Sequence, residues 1–153
     1  MRYLLIDRIT RWVPGREAEG LKNVSLSEDF FDDHFPLKPI MPGTLIIEGM
    51  AQLSGLLLEE TLKGEGLRIK ALMSLVERAR FRRPVYPGSQ LVYHSRITQF
   101  NQLGGRTASE ARADGQLAAD CELLFTFHKM GGPHQESIRQ ALLASWLENA
   151  RFE

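Results

Sequence analysis

The segment Thr44–Leu62, TLIIEGMAQLSGLLLEETL, constrains the fold more than any other part of the chain. Its periodicity is helical, with Pro42 near the first turn, where a missing N–H does no harm. On a wheel of about 100° per residue, Leu45, Ile46, Ile47, Met50, Leu53 and Leu56–Leu58 cover most of the circumference. A helix that is apolar on nearly every side is buried, and no apolar run in the chain approaches the roughly 20 residues of a membrane span. The cover must therefore come from the rest of the chain.

That cover reads as β-structure. Between 117 and 127, Leu117, Ala119, Cys121, Leu123, Phe125 and Phe127 fall on one face, with Asp120, Glu122 and Thr126 on the other. Segments 68–82, 90–100 and 105–114 also read as strands, joined at Pro87-Gly88, Gly104-Gly105 and Asp114-Gly115. A hairpin of residues 2–7 and 16–25, turning at Pro14-Gly15, precedes the helix. The predicted class is α+β: an antiparallel sheet curled around one long helix. Residues from about Pro133 onward read as a second, amphipathic helix with Ile138, Leu142, Trp146 and Leu147 as its stripe, packing on the sheet or on a neighbouring subunit.

The 153 residues suit a single main domain, and 43% hydrophobic with 25% charged residues is ordinary globular composition. The single cysteine, Cys121, cannot form an internal bridge. It fits a reducing compartment, and the start MRYLLIDRITRW lacks the features of a secretion signal, so a cytoplasmic location is expected. Nineteen basic residues balance nineteen acidic ones, which argues against a chain-wide attraction to nucleic acid or anionic membrane.

Three features carry chemistry. Glu48 interrupts the apolar helix on a narrow polar and small-residue stripe with Thr44, Ala51, Gln52, Gly55 and Glu59. Desolvation there favours a protonated carboxyl, which suits a general acid; read alone, Glu48 serves equally well as a structural carboxylate. His34 lies in a segment ordered by Pro36, Pro39 and Pro42, and imidazole is readily tuned as a base near neutral pH, although a lone loop histidine is more often a surface or structural residue. Pro42-Gly43-Thr44 begins the helix, where unpaired N–H groups and the dipole favour an oxyanion or polarised carbonyl.

Together, FFDDHFPLKPIMPGTLIIEGMAQLSG resembles the signature of the FabZ-like β-hydroxyacyl-acyl-carrier-protein dehydratases, which have the hot-dog fold. His34-Phe35-Pro36, Pro39 to Gly43, and Glu48 fourteen positions after His34 carry the match, which extends through LLIDRI and ARFRRPVYPGSQL to about residue 129. The resemblance implies a hot-dog domain over 1–130, followed by a helical extension over 131–153. It implies a homodimer, often a trimer of dimers, in which His34 faces Glu48 of the other subunit. His34 would remove a C2 proton and Glu48 would assist departure of the C3 hydroxyl. The Gly43 amide would polarise the thioester carbonyl, and Phe35, Met41 and helix residues including Gln52 would bind the acyl group. No metal or organic cofactor is expected.

Asp33 and Leu37 stand where the family usually has small residues, Gly49 where alanine is usual, and Leu75 where small residues are frequent. Arg78, Arg80, Arg82 and Arg83 form a basic cluster that reads either as a solvated face or as a contact for the acidic acyl carrier protein. A hot-dog thioesterase, a non-catalytic acyl-carrier-binding subunit and a hydratase of coenzyme A thioesters are the competing functions.

Overall fold

A computed structural model describes residues 3–129 and 133–153. In chain order the elements are β1 (Arg8–Val13), β2 (Glu17–Asn23), a 3-10 turn (Asp29–Phe31), α1 (Gly43–Gly64), β3 (Ile69–Phe81), β4 (Gln90–Phe100), β5 (Gly104–Ala113), β6 (Gln116–Lys129), α2 (Pro133–Leu147) and β7 (Arg151–Phe152). The strands form one sheet in the order β3-β6-β5-β4-β2-β1-β7. All neighbours are antiparallel except β1 and β7. Helix α1 packs against β2 through β6, so the sheet wraps the helix as its apolar circumference demands. Among the described residues no helix is long and apolar enough to cross a membrane.

Met50, Leu53, Leu57 and Leu58 of α1 are buried against Leu91 and Tyr93 of β4 and Leu123 of β6. One polar knot interrupts this core. Ser54 Oγ lies 2.9 Å from Ser95 Oγ and 3.0 Å from Ser109 Oγ, and Thr107 donates to it at 3.0 Å. All four hydroxyls are buried and mutually satisfied, so the helix is registered on β4 and β5 without an orphaned polar group.

Three sequence expectations shift. Residues 4–7 are not a strand: Leu5 and Ile6 are buried, but the Leu5 N–H donates to the Gln52 side chain rather than to a ladder. The hairpin strand is instead Arg8–Val13, which pairs with β2 across the expected Pro14-Gly15 turn. Gly104 and Gly105 lie inside β5, and the turn before them is closed by Asn101 Oδ1, which accepts from Leu103 N–H at 2.8 Å and Gly104 N–H at 3.2 Å. These glycines serve close packing: a Cβ on Gly104 would meet the Phe125 carbonyl oxygen at 2.4 Å, and one on Gly105 would meet Leu58 Cδ2 at 2.6 Å.

In α2, Leu143 and Trp146 are buried and Leu142 and Leu147 partly so, whereas Ile138 is 60% exposed. The helix is rotated so that Arg139 reaches the Glu59 carboxylate of α1. It therefore packs on its own chain, and the short β7 that follows is held by Arg11 Nη2, which donates to Glu153 Oε2 at 2.7 Å. The expected boundary between 130 and 131 lies outside the described residues.

Of the glycines in α1, Gly49 has the least room for a side chain. A Cβ there would sit 2.4 Å from both Cζ and Oη of the fully buried Tyr93, so the ring occupies the space that the usual alanine would need. Gly49→Ala is expected to cost about 2 kcal/mol, measured as a lower urea unfolding midpoint, and Tyr93→Leu in the same chain should recover part of that loss.

Candidate active site

The loop between β2 and α1 is tied down at several points. At its start, Val24 N–H donates to the Ser89 carbonyl at 3.0 Å, and the buried Lys22 ammonium pairs with Glu28. The 3-10 turn then buries Phe31, and at the exit Met41 N–H donates to the Val85 carbonyl at 2.8 Å. Proline content alone does not show these anchors. Lys22 in particular escaped the sequence reading, because a lysine in a strand ordinarily faces water.

His34 sits between these anchors. Its backbone N–H donates to the Phe30 carbonyl at 3.2 Å, its carbonyl accepts from Ile40 N–H at 2.9 Å, and its Nδ1 lies 2.7 Å from the Ile40 carbonyl oxygen. A carbonyl only accepts, so Nδ1 carries the hydrogen and, in the neutral ring, Nε2 holds the free lone pair. The Phe35 ring stacks on the imidazole with centroids 4.4 Å apart, and Phe35 is itself 55% exposed. Asp33 is exposed beside it, and Leu37 is wholly exposed.

Glu48 is positioned from α1. Gln52, one turn on, donates from Nε2 to Glu48 Oε1 at 3.0 Å and to the Tyr3 carbonyl at 3.1 Å, while its own Oε1 accepts Leu5 N–H at 3.0 Å. Each amide atom thus has a partner that fixes its orientation, and the N-terminal segment holds the carboxylate through Gln52. Glu48 and Gln52 line a cavity of about 440 Å³ that runs beside Ala51, Gly55 and Leu56 toward Glu59. His34, Phe35, Met41 and Gly43 are not among its lining residues. Within one chain, the structure brings Glu48 and Gln52 together and leaves His34 with Phe35 on the separate loop.

Met41 is 2% exposed and belongs to the core. At the helix start, Leu45 and Ile46 N–H both turn back to the Pro42 carbonyl. The amides of Gly43 and Thr44 have no intrahelical acceptor, as at any helix N-terminus. A Cβ on Gly43 would meet the Phe81 ring at 2.6 Å. Phe81, at the end of β3, is therefore a site neighbour that the sequence reading missed.

The arginine cluster is mostly neutralised. Arg78 Nη1 lies 2.9 Å from Glu122, Arg80 Nε 3.2 Å and Arg82 Nε 2.5 Å from Asp120, and Arg82 holds the Asp120 carboxyl below the usual carboxylate range. Among the described residues Arg83 makes no ion pair and is exposed. Burial pushes the Cys121 thiol up to about 12, which leaves almost no thiolate at neutral pH. Among the described residues no three His, Cys, Asp or Glu side chains gather closely enough to hold a metal ion.

The chain matches the FabA-like domain over residues 1–128. It is 41% identical over 118 residues to a protein of Nitratidesulfovibrio vulgaris named 3-hydroxyacyl-[acyl-carrier-protein] dehydratase FabZ, covering 77% of each chain. A protein of the same name from Shewanella woodyi is 38% identical over 122 residues, covering 80% of each. Among solved structures, a mutant thioesterase from Pseudomonas aeruginosa superposes with a TM-score of 0.64 at 10% identity, covering 80% of this chain and 81% of that one, a likeness of fold alone. With its hot-dog architecture and a match spanning the His34 loop and α1, this chain belongs to the FabA-like family, alongside the FabZ dehydratases.

Proposed function

We propose that this protein removes water from a 3-hydroxyacyl thioester carried on acyl carrier protein, with His34 as base and Glu48 as acid. The observation that carries the reading is the way both side chains are held. His34 has Nδ1 tied to the Ile40 carbonyl and Nε2 free to take a proton, and Glu48 has one oxygen fixed by Gln52 in an open cavity. A base and an acid each anchored by one atom, with a reactive atom left over, suit paired proton transfers.

In this mechanism His34 Nε2 takes the C2 proton, and the electron pair forms the C2=C3 bond as the C3–O bond breaks. The Glu48 carboxyl delivers its proton to the departing hydroxyl, releasing water and a trans-2-enoyl thioester. Charge that develops on the thioester oxygen is met by the amide of Gly43, which has no intrahelical acceptor and lies at the positive end of α1. The imidazolium then returns its proton to Glu48, which restores the pair. The step is reversible and syn in sense. The active unit is a homodimer in which His34 of one subunit serves Glu48 of the other. This reading is supported by the separation of the two side chains in one chain and by the exposed apolar residues Leu37, Leu72, Met73, Leu75 and Phe81, four of them on the edge strand β3. Carrier docking centres on Arg83, whose charge has no internal partner among the described residues.

With a 3-hydroxyacyl-carrier substrate and mass spectrometry of the products, His34→Ala and Glu48→Ala should each fold and lose turnover, while the parent yields enoyl product. Release of free acid by the parent would identify a thioesterase instead. Re-assembling equimolar His34→Ala and Glu48→Ala subunits should restore about a quarter of parental activity, because half of the random dimers carry one intact site; no recovery in verified mixed dimers would refute the shared site. Arg83→Glu should raise KM for the carrier-bound substrate about fivefold in low salt and much less in high salt, with no change toward an acyl-pantetheine substrate.

A further inference from the structure

We propose that α2 gauges acyl chain length: its Arg139, Leu142 and Trp146 close the far end of the groove that starts at Glu48, and acyl carbons beyond the length that reaches Glu59 find no place in it. The proposal rests on Glu48 marking the reacting end of the substrate.

The groove follows α1. Glu48, Gln52, Gly55 and Glu59 recur at helical spacing along one wall of the 440 Å³ cavity, and Glu48 lies about three turns, or roughly 16 Å, from Glu59 along the axis. Between those carboxylates the walls are apolar, from Ala51 and Leu56 on the helix to Leu72 on β3 and Phe125 on β6. Ala51 and Gly55 are small, so the middle of the groove has room for an alkyl chain. Each methylene that enters such a wall adds roughly fourfold in affinity.

The far end differs in chemistry. Glu59 is buried there, accepting the Ala71 N–H at 2.7 Å, with Lys70 Nζ at 3.4 Å and Arg139 in contact. Burial raises its carboxyl above the usual range while the two cations oppose that rise. An alkyl end pushed into this cluster would disturb the buried Glu59–Arg139 pair, with Lys70 at its exposed edge, and gain no apolar surface in return. Leu142 and the buried Trp146 complete the wall. Gln140 fixes α2 to α1 by donating to Glu60 at 3.3 Å. The family match ends at residue 128, so α2 lies outside the matched domain.

The test is calorimetric titration with saturated acyl-pantetheine thioesters of graded length, which bind but have no hydroxyl to eliminate, beside turnover of the matching 3-hydroxyacyl-carrier substrates. Affinity should climb with chain length and then level off. In Leu142→Ala and Trp146→Ala, checked for folding by circular dichroism, levelling should move about two carbons longer as the wall opens, and in Leu142→Phe it should move shorter. Turnover of the first excluded length, relative to a short substrate, should rise about tenfold in the opened variants, with short-chain turnover unchanged. Levelling at the same length in the parent and in the folded Leu142 variants would overturn the gauge. A shift in levelling without dehydration of any substrate would leave the gauge standing and sink the dehydratase reading alone.

Discussion

Helix α1 presents apolar side chains in almost every direction, and burying it obliges five strands to close around it. Once that closure is made, every polar residue on the helix must either find a partner inside the wrap or open onto a gap in it. Ser54 finds Ser95, Thr107 and Ser109, and the knot locks helix register against β4 and β5. Gln52 finds the backbone of residues 3 and 5. The N-terminal segment is thereby drawn across the helix as an irregular strap rather than as a strand. At these residues packing and polar satisfaction are solved together, which avoids a cost on the order of 1–3 kcal/mol for each unpaired group; the buried Tyr93 hydroxyl beside Gly49 is the exception, with no hydrogen-bond partner among the described residues.

The two acidic residues on the cavity wall show how one helix supports different carboxylate environments. Glu59 is sealed by α2 and held by two cations and a backbone N–H, so its charge is spent on structure. Glu48 is only half-buried, has a neutral amide as its one side-chain partner among the described residues, and opens onto the groove. A carboxyl without a cationic partner can exchange a proton without breaking an ion pair. That contrast, rather than the presence of a carboxylate in a helix, favours Glu48 as the acid.

Much of this was legible in the sequence because it rests on periodicity. The 3.6-residue pattern of α1 and the alternation in β4 and β6 fall within a few residues of the observed elements. The N-terminal strand was displaced because Leu4, Leu5 and Ile6 form an apolar run whose burial requires no ladder, whereas the pairing residues Arg8–Val13 look polar. Gly104 and Gly105 imitate a turn signal yet serve close packing, a distinction that depends on Phe125 and Leu58, remote in sequence. The same holds at the site: the residue types of the His34 loop were readable, but the Nδ1 contact to Ile40, the buried Lys22–Glu28 pair and the Phe81 ring over Gly43 are long-range or geometric facts. In the arginine cluster, charge was readable but its neutralisation by Asp120 and Glu122 across the β3–β6 ladder was not.

The departures from the family pattern divide by where their consequence is absorbed. Gly49 is absorbed within the chain, since the Tyr93 ring fills the space of the missing methyl and the core closes. Leu37 and Leu75 are not absorbed in this way. One is fully exposed on the His34 loop and the other is half-exposed on an edge strand, where unpaired backbone groups and apolar side chains together favour association. A larger apolar residue in place of a small one at such positions adds nothing to a monomer's stability and adds buried area to a dimer's. These substitutions therefore bear on how the proposed subunits meet, while the residues proposed for proton transfer, held from within each chain, stand where the family pattern has them.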